Sequence, residues 1–87
     1  MTIPTIHLNG TAAQDLFAAL EEAHIAILDA EAKLRATAPN GRDYYVQGPE
    51  ALYKAQDEHY ARCQKLAEVR GDLIALMEGI ADQKAAR

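Results

Sequence analysis

Aromatic hydroxyls and cations cluster in the middle of this 87-residue sequence, and these side chains are suited to hold a ligand. All four tyrosines lie in one short segment, at Tyr44, Tyr45, Tyr53 and Tyr60. The same segment carries Arg42, Lys54, His59 and Arg62. A tyrosine ring offers a flat apolar surface, and an arginine offers a planar fork for phosphate or carboxylate. Together they indicate a site for a nucleobase and its phosphate.

A structural interpretation of the same segment stays open. Tyrosines at a turn often pack over the end of a helical hairpin, and Arg42 with Asp43 would then cap a helix or pair locally. The residue types alone favour this interpretation over a ligand site.

A second candidate segment lies near the N-terminus, where His7, Asn9, Gly10 and Thr11 precede a predicted helix. A histidine, an amide and backbone N–H groups at a helix start can bind an anion. The alternative is an ordinary lead-in to the helix. A helix of this length separates the segment from the tyrosines by about 40 Å, so we expect only a second copy to bring the two groups together.

His59 and Cys63 share a helical face and provide half of a zinc site. Two further ligands are not evident, so a partly buried pair is the favoured interpretation. No nucleophile with its base, no carboxylate pair and no phosphate-binding glycine loop is recognisable. We therefore expect no enzyme activity, no metal and no cofactor.

Charge and cysteine content limit the partners and the compartment. The net charge of −4 argues against DNA, RNA or an anionic membrane as partner. Cys63 is the single cysteine and cannot form an internal disulfide, which favours a reducing, cytoplasmic compartment. The first ten residues lack the features of a signal peptide, and no apolar stretch is long enough to span a membrane.

Hydrophobic spacing predicts one helical-hairpin domain, with an extended arm at 1–10 and a first helix at 11–38. Thr11 and Gln14 match a capping box at the helix start. Asp29 with Lys33, and Glu31 with Arg35, are spaced as ion pairs on the solvated side. A stripe for packing against another helix has spacings of three and four, and it comprises Leu16, Leu20, Ala23, Ile27, Ala30 and Leu34.

The remainder is predicted as a turn at 39–48 and a second helix at 49–85, starting at Pro49 with Gly48 as its cap. The second stripe comprises Leu66, Val69, Leu73, Leu76 and Ile80. A ridge of small residues, Ala67, Gly71, Ala75 and Gly79, indicates close approach of a neighbouring helix, which we assign to another subunit. Two helices alone leave apolar surface exposed to solvent. We therefore expect an all-α hairpin that forms a helical-bundle homo-oligomer.

Several short motifs resemble a family of small bacteriophage accessory proteins across nearly the whole chain. They read HLNGT at residues 7–11, PNGRDYY at 39–45 and QGPEA at 47–51, followed by Glu58-His59 with Arg62 and Leu66. The turn motif is the most specific of them. The resemblance implies a viral protein in the host bacterial cytoplasm rather than a particular mechanism.

By analogy with small phage proteins that antagonise host defence, the first hypothesis is a sponge that sequesters a cyclic oligonucleotide or an ADP-ribose-type signal between subunits. Tyr44 and Tyr45 would stack on a base, Arg42 and Arg62 would meet phosphates, and residues 9–11 of another copy would close the pocket. The alternative is a protein-interaction module that inhibits or scaffolds a host or phage protein through the tyrosines.

Overall fold

The computed structural model describes residues 1–85 and shows an all-helical hairpin. Helix α1, Ala13–Arg35, lies antiparallel to the longer helix α3, Pro49–Ala85. Between them lie a single-turn helix α2, Gly41–Tyr44, and a 3₁₀ turn, Tyr45–Gln47. The molecule measures 62 × 20 × 19 Å. The predicted helical class is confirmed, and no strand occurs among residues 1–85.

Helix α1 is shorter than predicted at both ends. It starts at Ala13 with Ala12 as N-cap and no side-chain cap bond, so the capping box of Thr11 and Gln14 was wrong. The Ala12 carbonyl instead accepts hydrogen bonds from the Asp15 and Leu16 amides. The helix ends at Arg35 rather than Ala38. The early end follows from a local hydrogen bond, since the Thr37 hydroxyl donates to the Leu34 carbonyl at 2.7 Å.

The packed side of α1 differs from the predicted stripe at two positions. Ala23 and Ala30 are exposed, while the neighbouring His24 is half-buried and Glu31 is buried. The side facing α3 keeps a regular spacing of three and four residues at Ala13, Phe17, Leu20, His24, Ile27, Glu31 and Leu34, and Leu16 of the predicted stripe is half-buried beside it. The prediction chose the two alanines because they are apolar, whereas the polar residues His24 and Glu31 occupy the packed positions, and Glu31 pairs with Arg70 of α3.

One predicted ion pair is confirmed, and the other was wrongly placed on the solvated side. The Lys33 ammonium lies 2.8 Å from an Asp29 carboxylate oxygen, and both side chains are exposed. Glu31 is not on the solvated side: its carboxylate is buried and lies 2.8 Å from Arg70 Nε of α3, with Arg35 at 4.0 Å. Glu31 therefore links the two long helices, and this contact helps to fix their register.

Helix α3 begins at Pro49, as predicted. Gly48 precedes it with φ of 103°, a backbone conformation that glycine adopts without steric cost, and its carbonyl accepts from the Ala51 amide. With 37 residues against 23 in α1, α3 extends beyond its partner helix. The short helix α2 packs beside the start of α3, and the N-terminal arm packs beside its end.

The N-terminal arm, residues 1–12, docks on the chain's own α3. The Gln83 side chain accepts a hydrogen bond from the Ile6 amide at 2.9 Å and donates one to the Pro4 carbonyl at 2.7 Å. Ile3 lies so close to Gly79 that a methyl group placed on Gly79 would lie 2.6 Å from Ile3 Cγ2. The neighbour of Gly79 is thus this arm, which corrects the prediction of another subunit at that position.

The interior of one copy is small. Among residues 1–85, the buried hydrophobic residues are Ala55 and Ile80, and only the Ile80 side chain is almost completely covered, at 1% exposure. The accessible surface is 6504 Å², against about 5,000 Å² for a compact monomer of this mass. The radius of gyration is 19.0 Å, where a compact chain of this length has about 12 Å. One copy therefore leaves much apolar surface in water.

Candidate binding surfaces

The tyrosines at the turn are mostly exposed to solvent. Tyr45, Tyr53 and Tyr60 have 76%, 64% and 65% of their surface exposed, and Val46 beside them has 81%. Tyr44 is half-buried. Only Tyr44 therefore fits the structural interpretation in which tyrosines cover the hairpin end. The other three present apolar rings to solvent, as a binding surface requires.

Asn40 organises the turn that carries Arg42. Its side-chain oxygen accepts a hydrogen bond from the Arg42 amide at 3.0 Å and caps α2, and its side-chain nitrogen donates to an Asp43 carboxylate oxygen at 3.0 Å. Asp43 thus pairs with Asn40. Within residues 1–85, the exposed Arg42 guanidinium forms no ion pair. Arg42 therefore remains available to an anionic ligand at the same end as Tyr45.

A shallow groove of about 490 Å³ lies between the end of α1 and the first turns of α3. Its lining includes Pro39, His59, Tyr60 and Cys63, and it is largely apolar. The Cys63 sulfur lies 3.6 Å from His59 Nε2. No third His, Cys, Asp or Glu joins them into a metal-binding group in the part of the chain that the structure describes. The groove is better suited to apolar side chains than to a metal ion.

Arg62 points away from the exposed tyrosines. An α-helix rotates by about 100° per residue, so Arg62 lies about 200° around α3 from Tyr60 and about 180° from Tyr53. Lys54 is exposed on α3 one residue after Tyr53. A ligand that stacks on Tyr53 or Tyr60 therefore does not reach Arg62 of the same copy.

The arm residues lie at the opposite end of the molecule. The Gly10 amide donates to the His7 carbonyl at 3.1 Å, and this turn borders an open groove of about 490 Å³ that Gln14 and Lys84 also line. His7, Asn9, Gly10 and Thr11 are exposed, and Leu8 is 99% exposed. Thirty residues of α3 separate Tyr53 from Gln83, a distance of about 45 Å. One copy therefore keeps the two groups of candidate residues apart, as the sequence predicted.

Sequence reasoning missed two contacts that organise these surfaces. The Glu31 and Arg70 pair borders a cleft of about 150 Å³ at the middle of the hairpin, which Arg35 and Cys63 also line. The Gln83 contacts hold the arm at one end. The predicted stripe of α1 used apolar residues only; the same spacing with polar residues included places Glu31 on the packed side. No local pattern indicates the role of Gln83.

Neither long helix contains, within residues 1–85, a segment apolar enough to cross a lipid bilayer. Comparison of the chain with protein-family models, with curated proteins and with solved structures finds no match.

Proposed function

We propose that this protein is a helical binding module that acts as an assembly of copies and recognises its partner through the tyrosine-bearing end. The observation that carries the proposal is the exposure of Tyr45, Val46, Tyr53 and Tyr60 at one end of the hairpin. Tyrosine is enriched among the residues that dominate protein-binding energy, because it buries a large surface with few rotatable bonds. Isolated apolar residues on a surface need no explanation, but four at one end of a small protein do.

Assembly is part of the proposal because one copy has so little interior. Its accessible surface of 6504 Å² exceeds that of a compact monomer of this mass by about 1,500 Å². Specific interfaces cover about 800 Å² on each partner. The surplus of one copy is therefore large enough to supply such an interface and still leave the exposed Tyr45 and Val46 of the turn open to another molecule.

The setting that we propose is a phage-infected bacterial cell, in which the module inhibits or scaffolds a host or phage protein. The test is affinity capture of the tagged full chain from infected cells, with Tyr45→Ala and Val46→Ala beside the wild type. Val69→Ala is the matched control, since Val69 is exposed on α3 away from the turn. We expect one stoichiometric partner that both variants of the turn lose and the control keeps. A partner that all variants keep contradicts the proposal.

A second candidate function is the sequestration of a small signalling nucleotide. The supporting observation is that Arg42 has no ion pair within residues 1–85 and lies three residues before the exposed ring of Tyr45. A guanidinium and an aromatic ring at one end suit the phosphate and the base of a nucleotide. Cyclic oligonucleotides and ADP-ribose derivatives are the ligand classes that we propose for it.

The absorbance spectrum of the purified protein is a sensitive first test for a bound nucleotide, because the chain contains four tyrosines and no tryptophan and so absorbs weakly itself. Calorimetric titration with cyclic di- and trinucleotides and with ADP-ribose follows. We expect Arg42→Ala to weaken binding by about tenfold or more, as loss of a charge-assisted hydrogen bond does. Lys65→Ala, at an exposed cation elsewhere on α3, is the control. No heat with any of these nucleotides contradicts this candidate.

A further inference from the structure

One side of the hairpin, away from the docked arm, carries a continuous row of open grooves. We name it the open face and define it by Phe17, Glu21, Leu28 and Arg35 of α1 with Tyr53, Tyr60, Ala67, Gly71, Ile74 and Glu78 of α3. Three grooves lie along it, of about 330, 150 and 490 Å³. Phe17 and Ile74 line the first, Arg35 and Ala67 the second, and Arg35 and Tyr60 the third.

The spacing on α3 gives the open face the form of a helix-packing surface. Tyr53, Tyr60, Ala67 and Ile74 recur every seven residues, so they form one line along the helix. Gly79 and Gln83, which hold the arm, lie more than about 100° away around α3 from Ala67. The arm therefore leaves this line uncovered. Tyr53 and Tyr60 are well exposed on it, and Leu28 of α1 is 44% exposed beside it.

We infer that a second copy of this chain covers the open face, with the two α3 helices antiparallel across a two-fold axis near their middle. This inference rests on the assembly in the proposed function and specifies its geometry. The surplus surface of about 1,500 Å² per copy exceeds the roughly 800 Å² that each partner contributes to a standard interface. A two-fold interface also lets both copies use the same surface.

Side-chain size selects the antiparallel orientation. The large residues Tyr53 and Tyr60 occupy one half of the line, and the small Ala67 and Gly71 lie beyond its midpoint. A Cβ atom placed on Gly71 meets no atom within 4 Å. In the antiparallel pair, with the axis near Gln64, Tyr60 of one copy faces Ala67 of the other and Tyr53 faces Ile74. A parallel pair would place tyrosine on tyrosine and leave a gap at Ala67 and Gly71, at a loss of packing.

Charge selects the same orientation. Glu21 and Glu78 line the groove at the arm end of the open face. Arg35 lines the two grooves toward the tyrosine end, where the other two charges, Glu31 and Arg70, pair with each other. An antiparallel pair brings the acidic end of each copy toward the basic half of the other, whereas a parallel pair places like charges together. Complementary potentials of this kind fix the register of an interface.

The antiparallel pair completes the candidate binding site. In one copy, the arm turn of His7 and Gly10 is far from Arg42 and Tyr45. When the helices run in opposite directions, the arm of the partner copy lies at the end that carries these two residues. Each dimer then has two equivalent ends, and each end combines the turn of one copy with the arm of the other. The site is incomplete without the second copy.

The orientation is tested by the distance between spin labels in the full-length protein. A label is attached at Glu50→Cys, on the exposed first turn of α3, in a Cys63→Ser background. For the antiparallel pair we expect a label separation of about 40–50 Å, from the 1.5 Å rise per residue on both sides of the axis. A parallel pair gives less than about 25 Å, given two neighbouring helices of ordinary diameter. The short distance overturns the inference.

The face is tested by sedimentation of a substituted full-length chain. Gly71→Glu is compatible with the single copy, because Gly71 is exposed and a Cβ atom placed there meets no atom within 4 Å, but it buries an unpaired charge in the dimer. We expect the dimer dissociation constant to rise by about 100-fold or more. Ala61→Glu, at an exposed position elsewhere on α3, is the matched control and leaves association unchanged.

Association that both glutamate variants retain equally overturns the assigned face. A wild-type chain that sediments as one copy at every concentration overturns the dimer as well. Partner capture or nucleotide binding by that single copy would leave the recognition role of the tyrosine-bearing end standing, so failure of the dimer geometry is distinguishable from failure of the proposed recognition function.

Discussion

Replacing Gly79 with alanine tests whether the arm truly docks on α3. Alanine is more favourable than glycine inside a helix by about 1 kcal/mol, so the substitution in itself stabilises α3. The new methyl group would lie 2.6 Å from Ile3 Cγ2, 3.0 Å from Cδ1 and 3.1 Å from Cγ1. Since all three contacts belong to one side chain, Ile3 as a whole must leave its position.

The magnitude follows from the contacts that leave with Ile3. Displacing a half-buried isoleucine costs about 1 kcal/mol of lost burial. The two hydrogen bonds of the Gln83 side chain, one accepted from the Ile6 amide and one donated to the Pro4 carbonyl, contribute about 0.5–1.5 kcal/mol each. After the gain from helix propensity is subtracted, we expect Gly79→Ala to destabilise the protein by about 1–3 kcal/mol.

Gly71→Ala is the matched comparison, because it makes the same chemical change two turns earlier in the same helix with no atom within 4 Å of the added methyl. We expect it to keep the arm docked. Two measurements at one protein concentration compare the variants: urea unfolding followed by circular dichroism, and hydrogen exchange of the Ile6 amide, which donates to Gln83. Gly79→Ala should accelerate this exchange and Gly71→Ala should not.

A second substitution checks the cause. Removing most of the clashing side chain with Ile3→Ala should make Gly79→Ala far less harmful, so the double variant should be more stable than the sum of the single effects indicates. Equal protection of the Ile6 amide in wild type and Gly79→Ala would refute the docking of the arm.

Three further changes test contacts within the hairpin, each by the free energy of unfolding from urea titration. Arg70→Ala should destabilise the protein by about 1–3 kcal/mol, because it leaves the buried Glu31 carboxylate without its partner at 2.8 Å. Lys33→Ala is the comparison: it removes an exposed ion pair and should change the stability by less than about 0.5 kcal/mol. Equal effects would contradict the role of burial. Asn40→Ala should cost about 1 kcal/mol by removing the cap of the turn helix, and an unchanged chemical shift of the Arg42 amide would contradict it. Gln83→Glu keeps the acceptor for the Ile6 amide but loses the donor to Pro4, so its arm should be released less than in Gln83→Ala; equal release would show that the bond from the Ile6 amide contributes nothing.

The elements of the fold were largely predictable from the sequence because their signals are local. Pro49 after Gly48 marks the start of α3, and Pro39 with Asn40 marks the turn. The packed side of α1 was predicted with an error because the apolar pattern alone was used. Glu31 occupies a packed position there, and its partner Arg70 lies thirty-nine residues away. A pattern within one helix does not contain that partner.

The candidate site was predictable in its residues and less so in its geometry. The clustering of the tyrosines is visible in the sequence, but the exposure of Tyr45, Tyr53 and Tyr60 was not predicted, because tyrosines near a turn often pack over the end of a hairpin. The separation of Arg62 from Tyr60 by two residues, in contrast, already places them on opposite sides of a helix. The docked arm was not predictable, because Gln83 bonds to residues seventy-seven and seventy-nine positions earlier. Its amide pairs with the backbone through one donor and one acceptor, which any exposed glutamine could offer.

The contacts within one copy explain why the candidate binding site needs a second copy. Within one copy, the Glu31 and Arg70 pair holds the middle of the hairpin, and the Gln83 contacts hold the arm at one end. These contacts make the two ends different: one carries the arm and the other the exposed tyrosines. Because about 45 Å of helix lies between the ends, they stay apart within one copy. In the dimer that we propose, two copies in opposite directions join the ends twice, and the same packing covers Tyr53, Tyr60 and Leu28, which a single copy leaves in water.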